Sequence, residues 1–146
     1  MAGFRPQGKE SAMNAVVMID KNNGLAFNNR PQSRDRVLME RIAKLTDDAP
    51  IEADGHFALM LESYGFTVDP VSCPPAEDAW VWLDHTPDEQ ELAQIRKLII
   101  ARYRAIYPAD CYFDFEPQRP EWIKISRQIF AGSSHDKIIL EEYVRQ

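Results

Sequence analysis

No apolar run in this chain approaches the ~20 residues of a membrane-spanning helix, so no membrane partner is expected. Histidine is scarce. The three residues, His56, His85 and His135, stand apart and form no His-x-His or His-Glu-x-x-His group, which argues against a zinc centre and leaves no metal ligand set. The two cysteines, Cys73 and Cys111, lie in unrelated contexts without metal spacing, and neither has a histidine near it in sequence. They read as reduced thiols of a cytoplasmic protein. The N-terminus lacks an apolar h-region, so no signal peptide is expected. The six glycines form neither a Gly-x-x-x-x-Gly-Lys phosphate loop nor a Gly-x-Ser-x-Gly nucleophile elbow. Basic residues are the minority: 17 Lys and Arg face 23 Asp and Glu, for a net charge of -6 and a pI of about 5.1. A nucleic-acid partner is therefore not expected, because that affinity comes from clustered Lys and Arg. A local basic group remains at Arg30, Arg34 and Arg36.

What is present fits one globular domain. The 146 residues are 45% hydrophobic and 27% charged, enough for a single core and too few for two ordinary domains. Residues 1–12 read as a polar extension and 13–146 as a single α/β domain, with Met13 a candidate start. Ala15–Ile19 is a β-branched, buried-strand pattern. It leads into residues 19–36, which hold four asparagines, Gly24 and Pro31. Val37, Leu38, Ile42 and Leu45 then recur at helical spacing, with Ser33 as the expected N-cap and Asp35 in the first turn. A strand that ends in a polar, glycine-bearing loop and opens a helix is where α/β proteins place ligands.

Further on, a second helix is expected from about Asp54 to Tyr64, with Phe57, Met60, Leu61 and Tyr64 on one face and Gly65 as its stop. Phe66–Val68 reads as a short strand, 69–78 as loop and Ala79–Leu83 as a buried strand, with Trp80 and Trp82 core on both faces. Thr86-Pro87-Asp88-Glu89 reads as a helix start with Thr86 as cap and Glu89 closing a capping box. The apolar spacing of 92–107 suits one long helix, although Leu98–Tyr103 suits a strand equally. Cys111–Phe115 and Trp122–Phe130 look extended, Ala131–Ser134 marks a turn, and Lys137–Val144 completes a β-hairpin.

Taken together, the order of segments resembles the dihydrofolate reductase fold family. Val17-Met18-Ile19-Asp20-Lys21-Asn22-Asn23-Gly24-Leu25 is similar to that family's first strand and active-site loop. Arg30-Pro31-Gln32-Ser33-Arg34-Asp35 resembles the approach to the helix bearing its catalytic acid. Lys97–Ile100 with Asp110–Asp114 resembles its late strand and the loop after it, and Trp122 with Ser134-His135 and Ile138–Tyr143 its final hairpin. The resemblance implies a mostly parallel central sheet flanked by helices, with a C-terminal antiparallel hairpin. It also makes 97–104 a strand, with the preceding helix ending near Ile95. It makes Asp35 the candidate catalytic acid, set against its plain reading as a helix-terminal carboxylate. Asn22, Gly24, Asn28, Arg30, Gln32, Tyr112 and His135 become candidate substrate contacts, set against turn and packing roles.

The departures concern the cofactor. The family's glycine pair after the strand equivalent to Ala79–Leu83 is replaced by Leu83-Asp84-His85-Thr86-Pro87, where Asp84 would repel a pyrophosphate. Its Gly-Arg-x-Thr box survives only as Gly55-His56-Phe57. No cofactor is expected on this ground, although the fold would admit NADPH. The leading expectation is a divergent reductase-like protein that binds a small ligand at the 20–36 loop. The alternatives are an NADPH-dependent reductase of a pterin-like substrate and a non-enzymatic interaction protein from a mobile element, with a protein partner. Short bacterial proteins with similar boxes, sometimes labelled ribonuclease Z, suggest a nuclease. That reading ranks last, because the His-x-His-x-Asp-His motif is absent.

Overall fold

The computed structural model describes residues 12–146; the first eleven positions of the proposed N-terminal extension lie outside the described residues. At the centre is a seven-stranded sheet. Its strands are β1 (Met13–Ile19), β4 (Ile51–Glu52), β5 (Val68–Asp69), β6 (Trp80–Trp82), β7 (Ile95–Tyr103), β9 (Trp122–Phe130) and β10 (Ile138–Arg145). They run in the order β5-β4-β6-β1-β7-β10-β9. The five strands from β5 to β7 pair in parallel, and β10 and β9 close the sheet antiparallel. β1, in the middle, has six of its seven residues buried. That matches the burial of a parallel strand on both faces.

Three helices complete the described fold: α1 (Arg36–Leu45), α2 (Gly55–Ser63) and α3 (Glu89–Gln94). Leu38, Met39 and Ile42 of α1 and Phe57, Met60 and Leu61 of α2 are buried in one core cluster with β1 and β7. α1 also lies against β9, where the Arg41 guanidinium stacks over Phe130 at 3.9 Å.

Residues 97–104 are strand as far as Tyr103. The helical period of 92–107 is overridden because Ile95–Arg102 pair with β1 and Lys97–Tyr103 with β10, so both edges of the segment are taken up by ladder hydrogen bonds. Two helix starts differ from expectation. Asp35, not Ser33, caps α1: its backbone is extended and its carboxylate accepts from Leu38 N–H, whereas the Ser33 hydroxyl is engaged elsewhere. Asp88, not Thr86, caps α3, in a capping box with Glu91 in place of Glu89. Thr86 Oγ1 instead donates to the Tyr112 carbonyl and accepts from Asp114 N–H. Of the two tryptophans on β6, Trp82 is buried and Trp80 only partly so.

The 20–36 segment is not an open loop. It folds into β2 (Gly24–Phe27) and β3 (Arg30–Pro31), which join β8 (Cys111–Tyr112) in a small second sheet. The hairpin turns on Asn28 and Asn29, at φ 53° and 61°. Two-residue hairpin loops of this hand require positive φ at both positions, which asparagine tolerates better than most residues.

Candidate functional site

The carboxyl end of β1 is built around a buried carboxylate. Asp20, 2% exposed, accepts from Asn22 N–H (2.8 Å) and Gly24 N–H (2.7 Å) through Oδ1, and from Tyr107 N–H (2.9 Å) and Gln32 Nε2 (3.2 Å) through Oδ2. Gln32 also donates to the Pro108 carbonyl at 2.9 Å, and Lys21 N–H bonds the Ala105 carbonyl at 3.0 Å. One aspartate thus ties the 20–36 segment to residues 105–108. Gly24 is needed there for space: a Cβ would lie 2.7 Å from Asp20 Oδ2.

One turn along lies the second buried carboxylate, Asp35, at 1% exposure. Its Oδ1 accepts from Leu38 N–H (3.1 Å) and Ser133 N–H (3.0 Å). Its Oδ2 accepts from Ser134 N–H (2.8 Å), Ser134 Oγ (3.2 Å) and His135 Nδ1 (2.9 Å). Burial alone would raise its pKa, but the hydrogen bonds from His135, Ser134, Ser133 and Leu38 outweigh it and hold the carboxyl well below the usual range. Asp35 is therefore ionised, with both oxygens occupied. Gly132 lets the hairpin turn approach so closely, since a Cβ there would sit 2.2 Å from Asp35 Oδ2.

His135 is fixed on every side. Its ring stacks on Tyr103 (centroids 4.3 Å apart, 24° between planes) and meets the edge of Tyr107 at 6.3 Å. Its Nε2 lies 2.9 Å from Ser33 Oγ. Beside it opens a cleft of about 490 Å3, lined by Arg104, Ala105, Tyr107, Ser134, His135, Asp136 and Lys137. The wall formed by 105–107 is the segment that Asp20, Lys21 and Gln32 hold in place.

The candidates named from sequence divide into two groups. Asp35 and His135 come together, and Gln32 and Gly24 sit in the Asp20 cluster behind them. Asn22, Asn28, Arg30 and Tyr112 are exposed on or beside the small sheet, away from Asp35. Ser33 and Asp20 were not singled out as site residues. Their signal was only the polar spacing of the loop, because their partners lie about a hundred residues away at His135 and about ninety away at Tyr107.

A second cavity has different chemistry. Beyond β6, a cavity of about 520 Å3 is lined by the carboxylates of Asp54, Asp84, Asp88 and Glu91, with His85 the one cationic side chain among them. His85 bridges Asp84 (2.8 Å) and Glu91 (3.1 Å). The Asp84 hydrogen bond, opposed by burial and aided by Glu91, pushes its pKa up to about 9. Four carboxylates against one imidazolium do not fit a dinucleotide diphosphate. Cys111 is no better placed as a nucleophile: burial, with Asp84 and Asp110 nearby, pushes its thiol pKa up. Among the described residues no group of three or more His, Cys, Asp or Glu is arranged to hold a metal, and no helix is long and apolar enough to cross a membrane.

The strand order, with β1 between β6 and β7 and an antiparallel pair closing one side, defines a mostly parallel α/β protein. Its particular form is the dihydrofolate reductase fold. The chain matches a dihydrofolate reductase from Enterococcus faecalis, solved in complex with NADP(H) and RAB-propyl, with a TM-score of 0.65. At 12% identity, the match covers 94% of this chain and 98% of that one. No protein-family profile and no curated protein matches the sequence.

Proposed function

We propose that this protein uses the reductase fold to bind a small anionic ligand and does not transfer hydride to a pterin. The observation that carries this reading is the state of Asp35: a proton donor must be able to hold a proton and reach its substrate. This carboxylate is ionised, buried and saturated by five hydrogen bonds. The acidic lining beyond β6 points the same way, because it opposes the phosphates of a nicotinamide cofactor.

The cleft beside His135 is the ligand position. Arg104 and Lys137 on its rim outnumber Asp136 and favour a carboxylate or phosphate. The 20–36 segment contributes by fixing the opposite wall through Asp20, Lys21 and Gln32 rather than by presenting its asparagines. Two measurements test this. With NADPH and dihydrofolate the protein is expected to give no loss of reduced-nicotinamide absorbance; turnover would overturn the reading. In calorimetric titration with phenyl phosphate, saturable binding is expected that weakens about a hundredfold in Arg104→Gln/Lys137→Gln, roughly tenfold for each lost charged contact. Equal binding by the variant removes the cleft as the site.

A further inference from the structure

Ser33, His135 and Asp35 stand in the order of a hydrolytic triad. Ser33 Oγ is 2.9 Å from His135 Nε2, and His135 Nδ1 is 2.9 Å from Asp35 Oδ2. The tautomer follows from the charge on Asp35. A carboxylate oxygen at hydrogen-bond distance calls for a proton on Nδ1, which makes Nε2 the ring atom placed to accept the Ser33 hydroxyl proton. Tyr103 stacks on the imidazole and the 132–135 turn anchors it, so the ring is held in the plane that joins serine to carboxylate. Ser33 is partly exposed, whereas Asp35 is sealed. This is the graded burial that such a relay needs: an accessible nucleophile, a positioned base and a buried orienting charge.

We propose that Ser33 is a nucleophile activated by His135 and positioned through Asp35, and that it cleaves small esters carrying an anionic group. The inference rests on the cleft reading above for the anionic group and on the Ser33–His135–Asp35 geometry for the chemistry. Ser33 Oγ attacks the acyl carbon and passes its proton to His135 Nε2, while the carbonyl π pair moves onto oxygen. Collapse of the tetrahedral species breaks the bond to the leaving alcohol, which takes the proton from His135. Water then attacks the acyl-serine by the same route, releases the acid and restores the hydroxyl. Arg104 and Lys137, on the rim beside His135, would hold the ester's anionic end.

The test combines turnover with trapping. Mono-4-nitrophenyl succinate is expected to be hydrolysed faster than 4-nitrophenyl acetate, and the protein-dependent rate to fall about a hundredfold or more in Ser33→Ala and in His135→Ala, the scale of a lost general base. Diisopropyl fluorophosphate is expected to phosphorylate Ser33, losing fluoride, and peptide mass mapping reads the adduct directly. Ser33→Ala, at a part-buried position, is checked for native circular dichroism. No adduct on Ser33, or a rate unchanged in Ser33→Ala, overturns the triad. If phenyl phosphate still binds in an Arg104- and Lys137-dependent way, the binding reading survives that failure. If Ser33 is labelled but phenyl phosphate does not bind, the cleft reading falls and the nucleophile stands.

Discussion

At the scale of single residues, the site depends on one close approach. Gly132 lies against the Asp35 carboxylate, and that carboxylate is not the free end of a flexible side chain: five hydrogen bonds fix it. An added methyl, 2.2 Å from Oδ2, has nowhere to go unless the turn or the acid moves. Gly132→Ala is therefore expected to cost about 3 kcal/mol of stability, typical of a forced core clash with lost buried hydrogen bonds. Urea unfolding measures it, and a change within about 0.5 kcal/mol would contradict the packing described. The sign of the pH dependence at Asp35 is also fixed. Its folded pKa is depressed, so it stabilises the fold above the ordinary aspartate pKa of about 4 and that contribution is lost as the pH falls toward the folded value.

At the scale of elements, the helix caps show how local rules hold while their residues shift. The sequence around α1 points to Ser33 as the cap and to Asp35 as a first-turn acid two positions on. The structure uses the aspartate and frees the serine hydroxyl for His135. Around α3 the Thr86–Glu89 pair and the Asp88–Glu91 pair both satisfy the capping-box pattern, and the second is formed. Propensity set the existence of each helix start but not its residue, because the competing partners come from distant segments. His85, beside α3, gives an alkaline signature. Its pKa is raised from about 6.5 to about 9, so its contribution is full below the unfolded value and is lost as pH rises through the folded one. His85→Gln is expected to flatten the decline in melting temperature between those pH values. A wild-type decline that persists unchanged in the variant would mean His85 is not its source.

At the scale of the whole molecule, the sheet carries an ion cluster around one buried carboxylate on its antiparallel side. Glu141, 5% exposed, accepts from Arg102 Nε (2.8 Å), Tyr143 Oη (2.9 Å) and Lys124 Nζ (3.2 Å). These side chains come from β7, β10 and β9, so one carboxylate links three neighbouring strands. Glu141→Ala is expected to destabilise by about 2 kcal/mol, because it removes the buried partner of Arg102 and leaves that guanidinium only its contact with the exposed Glu116. Equilibrium denaturation reads this, and a neutral result would show the cluster to be dispensable.

Most of this architecture was legible in the chain. The β-branched run 15–19, the helices near 36 and 55, and the final hairpin each announce themselves by period and turn residues. β4 and the β2–β3 hairpin did not, being two to four residues long, too short for any period to show. The site was legible only in its parts. Asp35 and His135 stood out as types, but nothing local pairs residues about a hundred positions apart.

That separation has a consequence for how the protein is made. A ribosome delivers Asp35 long before Ser133, Ser134 and His135, and β10 follows the turn that bears them. Until then the growing chain holds a helix-capping carboxylate whose strongest partners do not yet exist. The turn between β9 and β10 is thus what quenches it. Any nascent chain stalled before residue 132 would expose a charged gap beside its first helix, a mark by which an unfinished copy differs from a finished one.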